Sequence, residues 1–159
     1  MFLFKKAKSS SLLAPVSGKY KPLKDVPDPV FASGTMGQGF AIEPSEEGVY
    51  APVSGKITTL FPGGHAIGIT ARDGAEVLVH IGVDTVKLKG KPFKACVSEN
   101  AQVEAGELLT RVDFNAIRGA GCASDVIVVL TSGEKCTLPE GFEGERLRGG
   151  KSVALLYKK

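Results

Sequence analysis

Six consecutive residues of this chain occur twice: Ala14-Pro15-Val16-Ser17-Gly18-Lys19 returns word for word as Ala51-Pro52-Val53-Ser54-Gly55-Lys56, 37 residues later. A looser third version, Val103-Glu104-Ala105-Gly106-Glu107, again sets a small residue and a glycine ahead of an apolar run. In the identical copies the proline suits a strand edge or corner where no ladder donor is wanted, and the glycine supplies a turn with positive φ. Similar corners packed on one another imply a compact sandwich or barrel built partly by duplication.

The 20 glycines and 9 prolines run from end to end and are not gathered into a linker, with Val, Ile and Leu in short runs between them. Many short strands and tight turns follow. Strands are expected at Ser11–Pro15, Gly39–Ile42, Gly55–Leu60, Ala66–Ala71, Glu76–Ile81, Leu108–Val112, Val126–Leu130 and Val153–Tyr157. Only Phe93–Cys96 and Asn115–Ala120 look weakly helical. The fold class is all-β: an antiparallel β-sandwich or barrel with internal duplication and little helix.

With 159 residues, 43% of them apolar, the chain is the length of one domain and can bury a sizeable core. A single domain is expected over residues 13–159, after a flexible segment of residues 1–12. Phe2, Leu3 and Phe4 with Lys5, Lys6 and Lys8 make that segment amphipathic, enough for weak contact with an anionic membrane surface through residues 1–8 and too short to bind firmly. A net charge of +3 is too small a surplus to indicate nucleic acid. No run of 18 apolar residues exists, and Lys5 and Lys6 interrupt Met1–Phe4 before it could serve a signal peptide, so a cytoplasmic protein is expected. Cys96, Cys122 and Cys136 form no C-x-x-C pair, and reduced thiols are expected.

The chain has two histidines, His65 and His80, on either side of an Arg72-Asp73-Gly74 turn between β-rich runs. That is a β-hairpin. If Arg72 and Asp73 are the two central turn residues, facing positions sum to 145 and the histidines are direct cross-strand neighbours. A three-residue loop with a glycine bulge makes the sum 146 and, on regular strands, sends the rings to opposite faces. Val77, Val79, Ile81 and Val83 form the expected core side, so His80 points the other way with Leu78 and Gly82, where its imidazole is accessible.

A metal site, general acid and base work, and phosphoryl transfer through a nucleophilic histidine could each use such a pair. Zinc normally wants a third protein ligand, and Asp84 lies roughly 13 Å from His80 along a regular strand, too far to chelate the same ion. A hydrolytic pair would usually need a nucleophile or bound metal as well. Phosphoryl transfer fits best: one neutral imidazole attacks phosphorus, and the second donates a hydrogen bond to a phosphate oxygen.

The segments Phe61-Pro-Gly-Gly-His65-Ala-Ile-Gly-Ile and Val77-Leu-Val-His80-Ile-Gly-Val-Asp84-Thr-Val-Lys-Leu-Lys-Gly90 resemble the active-site segment of the glucose-type enzyme IIA family of the bacterial phosphoenolpyruvate:sugar phosphotransferase system. Asp25-Val-Pro-Asp-Pro-Val-Phe31 and Met36-Gly-Gln-Gly-Phe-Ala-Ile42 resemble the family's first long segment, and the likeness runs from about Leu13 to Tyr157. The resemblance implies an antiparallel β-sandwich of the duplicated hybrid motif, in its free-standing form. It also implies that His80 accepts the phosphoryl group and that His65 stabilises it. The donor would be the phosphohistidine of the histidine phosphocarrier protein HPr, and the acceptor a cysteine of the enzyme IIB domain of a sugar permease, with no cofactor required. Val30, Phe31, Met36, Phe61, Leu78 and Val86 match the docking rim, and Asp84 lies at its edge.

The family commonly has a threonine two residues before the first histidine, where this chain has Gly63, and residues Cys122 to Arg148 match only loosely. The rival readings are a zinc-dependent peptidase on a related β fold, a lipoyl or biotinyl carrier, and a regulatory binding protein that selects partners by phosphorylation state. Two histidines cannot supply the His-x-His plus His and Asp set of the first. The lysine flanked by Met or Asp at a hairpin tip is missing for the second. In the family, regulatory binding accompanies the carrier role.

Overall fold

Residues 10–159 are described by the computed structural model. The short apolar runs become strands β1 (Ser10–Leu13), β2 (Gly18–Pro22), β3 (Gln38–Pro44), β4 (Gly48–Tyr50), β5 (Gly55–Leu60), β6 (Ala66–Ala71), β7 (Glu76–Ile81), β8 (Phe93–Ala95), β9 (Gln102–Val103), β10 (Leu108–Val112), β11 (Val126–Leu130), β12 (Cys136–Thr137) and β13 (Val153–Tyr157). Two short α-helices, α1 (Pro29–Ala32) and α2 (Phe114–Gly119), and 3₁₀ turns at Leu23–Asp25 and Thr85–Leu88 complete the regular structure. The strands form a seven-stranded sheet in the order β2-β3-β11-β7-β6-β5-β9 and two three-stranded sheets, β1-β13-β12 and β4-β10-β8. Neighbours pair antiparallel.

The repeated corners meet as expected. Leu13 N donates to Pro52 O, Tyr50 N to Pro15 O, Ala51 N to Glu107 O and Gly106 N to Ala51 O, at 2.9, 2.6, 2.8 and 2.8 Å. Pro15 and Pro52 lie outside the strands and lend their carbonyls to these bonds. The turn expected at the repeated glycine is not made by Gly55, which is a paired residue of β5 without a positive φ and is glycine because a Cβ would stand 2.1 Å from Thr70 O.

One side of the large sheet carries Phe40, Ile42, Ile67, Ile69, Val77, Val79, Ile81, Val126, Val128 and Leu130 into the main core, where Leu12, Leu109, Ile117 and Leu155 meet them. Each fully buried Ile or Leu contributes roughly 1.5–3 kcal/mol relative to exposure. The opposite side of the sheet is partly covered by a second cluster of Val26, Phe31, Ala41, Val83, Ile127 and Val129. β11 therefore reads Val-Ile-Val-Val-Leu without alternation, because both of its faces are buried. His80 lies on the side of that second cluster, opposite Ile127.

Four further expectations need correction. Regular structure begins before residue 13, since β1 starts at Ser10 and Leu12 is fully buried; the amphipathic reading of residues 1–8 lies outside the described residues. β1 also ends at Leu13 and not at Pro15, because the chain bends into the first corner. Phe93–Cys96 is not helical: Phe93, Lys94 and Ala95 pair with Val112, Arg111 and Thr110, and that ladder outweighs a weak local preference. Val83 leaves the core side, because β7 ends at Ile81 and Gly82, at φ +78°, turns the chain so that Val83 joins the second cluster.

Candidate active site

The hairpin register differs from the side-by-side scheme. Ala66 faces His80 and Ile67 faces Val79, so facing numbers sum to 146. Arg72, Asp73 and Gly74 form a three-residue loop, with Gly74 N donating to Ala71 O and Ala71 N to Ala75 O. On a regular ladder this register would part the histidines. His65, however, precedes the first residue of β6 and lies in a bend after Gly63 and Gly64, whose φ values are +89° and +88°. Its carbonyl still accepts from Ile81 N at 2.7 Å. Freed from the strand pleat, its ring lies on the His80 side, with ring centroids 5.4 Å apart at an interplanar angle of 76°.

Gly63 shows why this chain lacks the threonine. A Cβ there would stand 3.2 Å from Gly90 N and 3.3 Å from Gly90 Cα, at a φ that β-branched residues avoid. Gly63→Thr is expected to destabilise by about 1–3 kcal/mol, read as a lower thermal midpoint.

His80 is oriented by a backbone carbonyl. Its Nδ1 lies 2.8 Å from Gly82 O, and because a carbonyl only accepts, Nδ1 carries the proton and Nε2 keeps its lone pair. The turn that presents this carbonyl is fastened on several sides. Gly82 N donates to Asp125 O at 2.8 Å, Val83 N donates to Ala123 O at 3.0 Å, and the buried Thr85 hydroxyl donates to Ile81 O at 2.5 Å.

Burial is the main cause that lowers the His80 pKa below the usual histidine value, and His65 adds to the effect. The Gly82 carbonyl, Asp28 and Asp84 pull the other way. Burial thus favours the neutral form of the His80 ring. Stability follows with a definite sign. Above about pH 6.5 the ring is neutral folded and unfolded. As pH falls below that value the unfolded chain takes the proton first, so stability drops until the folded ring also titrates. Thermal midpoints measured from pH 7.5 down to 5 should fall more steeply for the unaltered protein than for His80→Gln.

The surroundings combine apolar surface and two carboxylates. Val30, Phe61 and Val86 are 51%, 37% and 61% exposed. Met36 and Leu78 are half-buried against the second cluster. Phe31 departs from its rim assignment: it is buried, with its ring centroid 5.1 Å from that of His80, and walls the imidazole. Phe61 stands 5.8 Å from His65, ring to ring. Asp84 is exposed at φ +59°. Asp28 caps α1 by accepting from Val30 N at 2.9 Å. Asp-Pro at a helix start is a readable signal for that cap; Gly82 and Thr85 have no such local signal in the sequence.

A small antiparallel β-sandwich that holds two imidazoles side by side on the partly open face of its main sheet, one of them locked in a single tautomer, defines a class of histidine-bearing β-domains. The family model described as phosphoenolpyruvate-dependent sugar phosphotransferase system, EIIA 1, matches residues 10–136, and the chain belongs to that family. The chain is similar to the PTS system glucose-specific EIICBA component of Streptococcus pneumoniae, 50% identical over 117 residues, which are 74% of this chain and 16% of that protein. It is also similar to the PTS system glucose-specific EIIA component of Bacillus cereus, 43% identical over 127 residues, covering 80% of this chain and 77% of that protein. The solved structure of glucose permease IIA from Mycoplasma capricolum matches with a TM-score of 0.85 at 36% identity, over 98% of this chain and 99% of that one. The chain spans only 16%, 19% and 20% of the length of three multidomain relatives.

Proposed function

We propose that the chain is a phosphoryl carrier of a phosphoenolpyruvate-dependent sugar phosphotransferase system, with His80 as the acceptor. One observation supports this most: the Gly82 carbonyl binds the Nδ1 proton of His80 and leaves Nε2 unprotonated. In the first step Nε2 attacks the phosphorus of the phosphohistidine of HPr. A P–N bond forms on His80, the donor P–N bond breaks, and the donor imidazole leaves. In the second step the thiolate of an enzyme IIB cysteine attacks the same phosphorus, an S–P bond forms, the Nε2–P bond breaks with its electron pair returning to Nε2, and His80 leaves as the neutral ring.

His65, 5.4 Å away between ring centroids, donates an N–H to a phosphoryl oxygen and offsets a charge of about −2 that arrives with the group. Positioning and donors supply most of the catalysis, and no cofactor takes part. The exposed Val30, Phe61 and Val86 provide apolar surface on which donor and acceptor dock in turn. An enzyme IIB partner is supported by the multidomain relatives named EIICBA and EIIBCA. Among the described residues no helix is long and apolar enough to cross a membrane. Regulatory proteins that distinguish the charged from the uncharged state would read the same face.

Incubation with phosphoenolpyruvate and the two general phosphotransferase proteins, followed by peptide mapping, tests this reading. The expected result is one acid-labile, base-stable phosphoryl group on the peptide containing His80. An unchanged intact mass, or a group mapped to the His65 peptide, would overturn it. The zinc-peptidase alternative is not favoured by the family match, and among the described residues no group of three or more His, Cys, Asp and Glu side chains could hold a metal ion.

A further inference from the structure

We propose that Asp125, held by Lys21, is a positioning residue for His80. The functional consequence rests on the carrier reading of His80; the geometry does not. In a trans peptide the C=O and the N–H point in opposite directions. The N–H of the Gly82–Val83 peptide donates to Ala123 O at 3.0 Å, so that bond decides where the Gly82 carbonyl aims, and this is the carbonyl that accepts from His80 Nδ1. The preceding peptide is held likewise, since Gly82 N donates to Asp125 O at 2.8 Å. The segment from Ala123 to Asp125 thus grips both peptide planes of a glycine at φ +78°, a residue that has little resistance of its own to rotation.

That segment is fastened by strand β11, which follows it, by Arg118 Nε donating to Ser124 Oγ at 3.1 Å, and by an ion pair at Asp125. Lys21 Nζ lies 3.0 Å from Asp125 Oδ2 and 3.1 Å from Glu43 Oε1. The Asp125 side chain is 6% exposed and that of Lys21 21%. Lys21 stands opposite Ala41, Ala41 opposite Ile127, and Ile127 opposite His80, so the cation and the imidazole share one row across the sheet. A buried ion pair is a weak device for stability, because desolvation consumes most of the attraction. Its geometric demand is strong: with Lys21 gone, Asp125 would be a buried charge without its cation, and the segment would have to move to hydrate it.

The test uses ¹⁵N-labelled full-length protein and long-range imidazole spectra at pH 8, together with single-turnover phosphoryl transfer. The comparison pair is Glu134 and Lys159, joined at 3.0 Å with a Glu134 side chain that is also 6% exposed, and not part of the hydrogen-bond chain to His80. In the unaltered protein His80 should show the Nδ1–H signature. In Asp125→Asn and Lys21→Met that signature should move toward averaged tautomers and transfer should slow about tenfold, as for losses of outer-sphere support. Lys21→Arg should restore both, and Glu134→Gln should leave the His80 signals in place. Unchanged His80 signals in Asp125→Asn and Lys21→Met would overturn the proposal, as would equal disturbance by Glu134→Gln. If Asp125→Asn does not fold, Lys21→Met carries the same comparison. Failure of the unaltered protein to take up a phosphoryl group would sink the carrier reading alone, since the spectra decide the positioning role without any transfer.

Discussion

His80→Ala is expected to take up no phosphoryl group when phosphoenolpyruvate and the two general phosphotransferase proteins are supplied. The reason is local. Nε2 of His80 keeps its lone pair because Nδ1 carries the proton bound by the Gly82 carbonyl, whereas His65 sits in a bend after two glycines at positive φ, with its ring 5.4 Å from that of His80. The substitution should leave the protein folded at a cost of about 1–3 kcal/mol, because it takes the partner from the Gly82 carbonyl and the ring from beside Phe31. Intact mass and thermal melting of the same preparation separate the two effects. Normal labelling of a folded His80→Ala protein would reject the acceptor assignment.

His65→Gln is expected to accept the group and pass it on about 10²–10³-fold more slowly, the usual cost of losing one donor to a developing phosphoryl or oxyanion charge. The asymmetry between the steps follows from what each requires. Acceptance draws on a reactive donor and the His80 lone pair, whereas departure to a thiolate needs the transferring oxygens held and partly neutralised. His65 is 9% exposed and packed against Phe61, so its ring has little freedom to search, which suits the proposed donor role. Rapid-quench measurement of the half-reactions, with purified phosphoprotein and an enzyme IIB domain, checks the difference. Abolished acceptance in His65→Ala together with normal labelling of His80→Ala would reverse the two roles.

How far the site could be read in advance varies by residue. His80, Leu78 and the strand Glu76–Ile81 follow from alternation, because a period of two leaves one face apolar and places His80 on the other. The closeness of His65 was expected from a register that the protein does not use. The Arg72–Gly74 loop is one residue longer than that scheme required, and the bend at His65 brings its ring back across. Phe31 matched the rim by sequence, yet it is buried beside His80; Val30, its neighbour on the one-turn helix α1, is 51% exposed. A four-residue helix has no periodicity from which to tell which side chain turns inward.

Strand β8 and the fastening of Gly82 show the same division on a larger scale. Local pattern alone determined the β class, the duplicated corners, the hairpin and the identity of the two imidazoles, since turn residues and apolar alternation act over a few neighbours along the chain. The tertiary structure decided the register, the placing of Val83 and Phe31, the conversion of Phe93–Ala95 into a strand, and the carbonyl that sets the tautomer of His80. Each of these depends on hydrogen bonds or packing between residues distant in the chain, such as Val83 with Ala123 and Lys21 with Asp125, whose partners no short window contains.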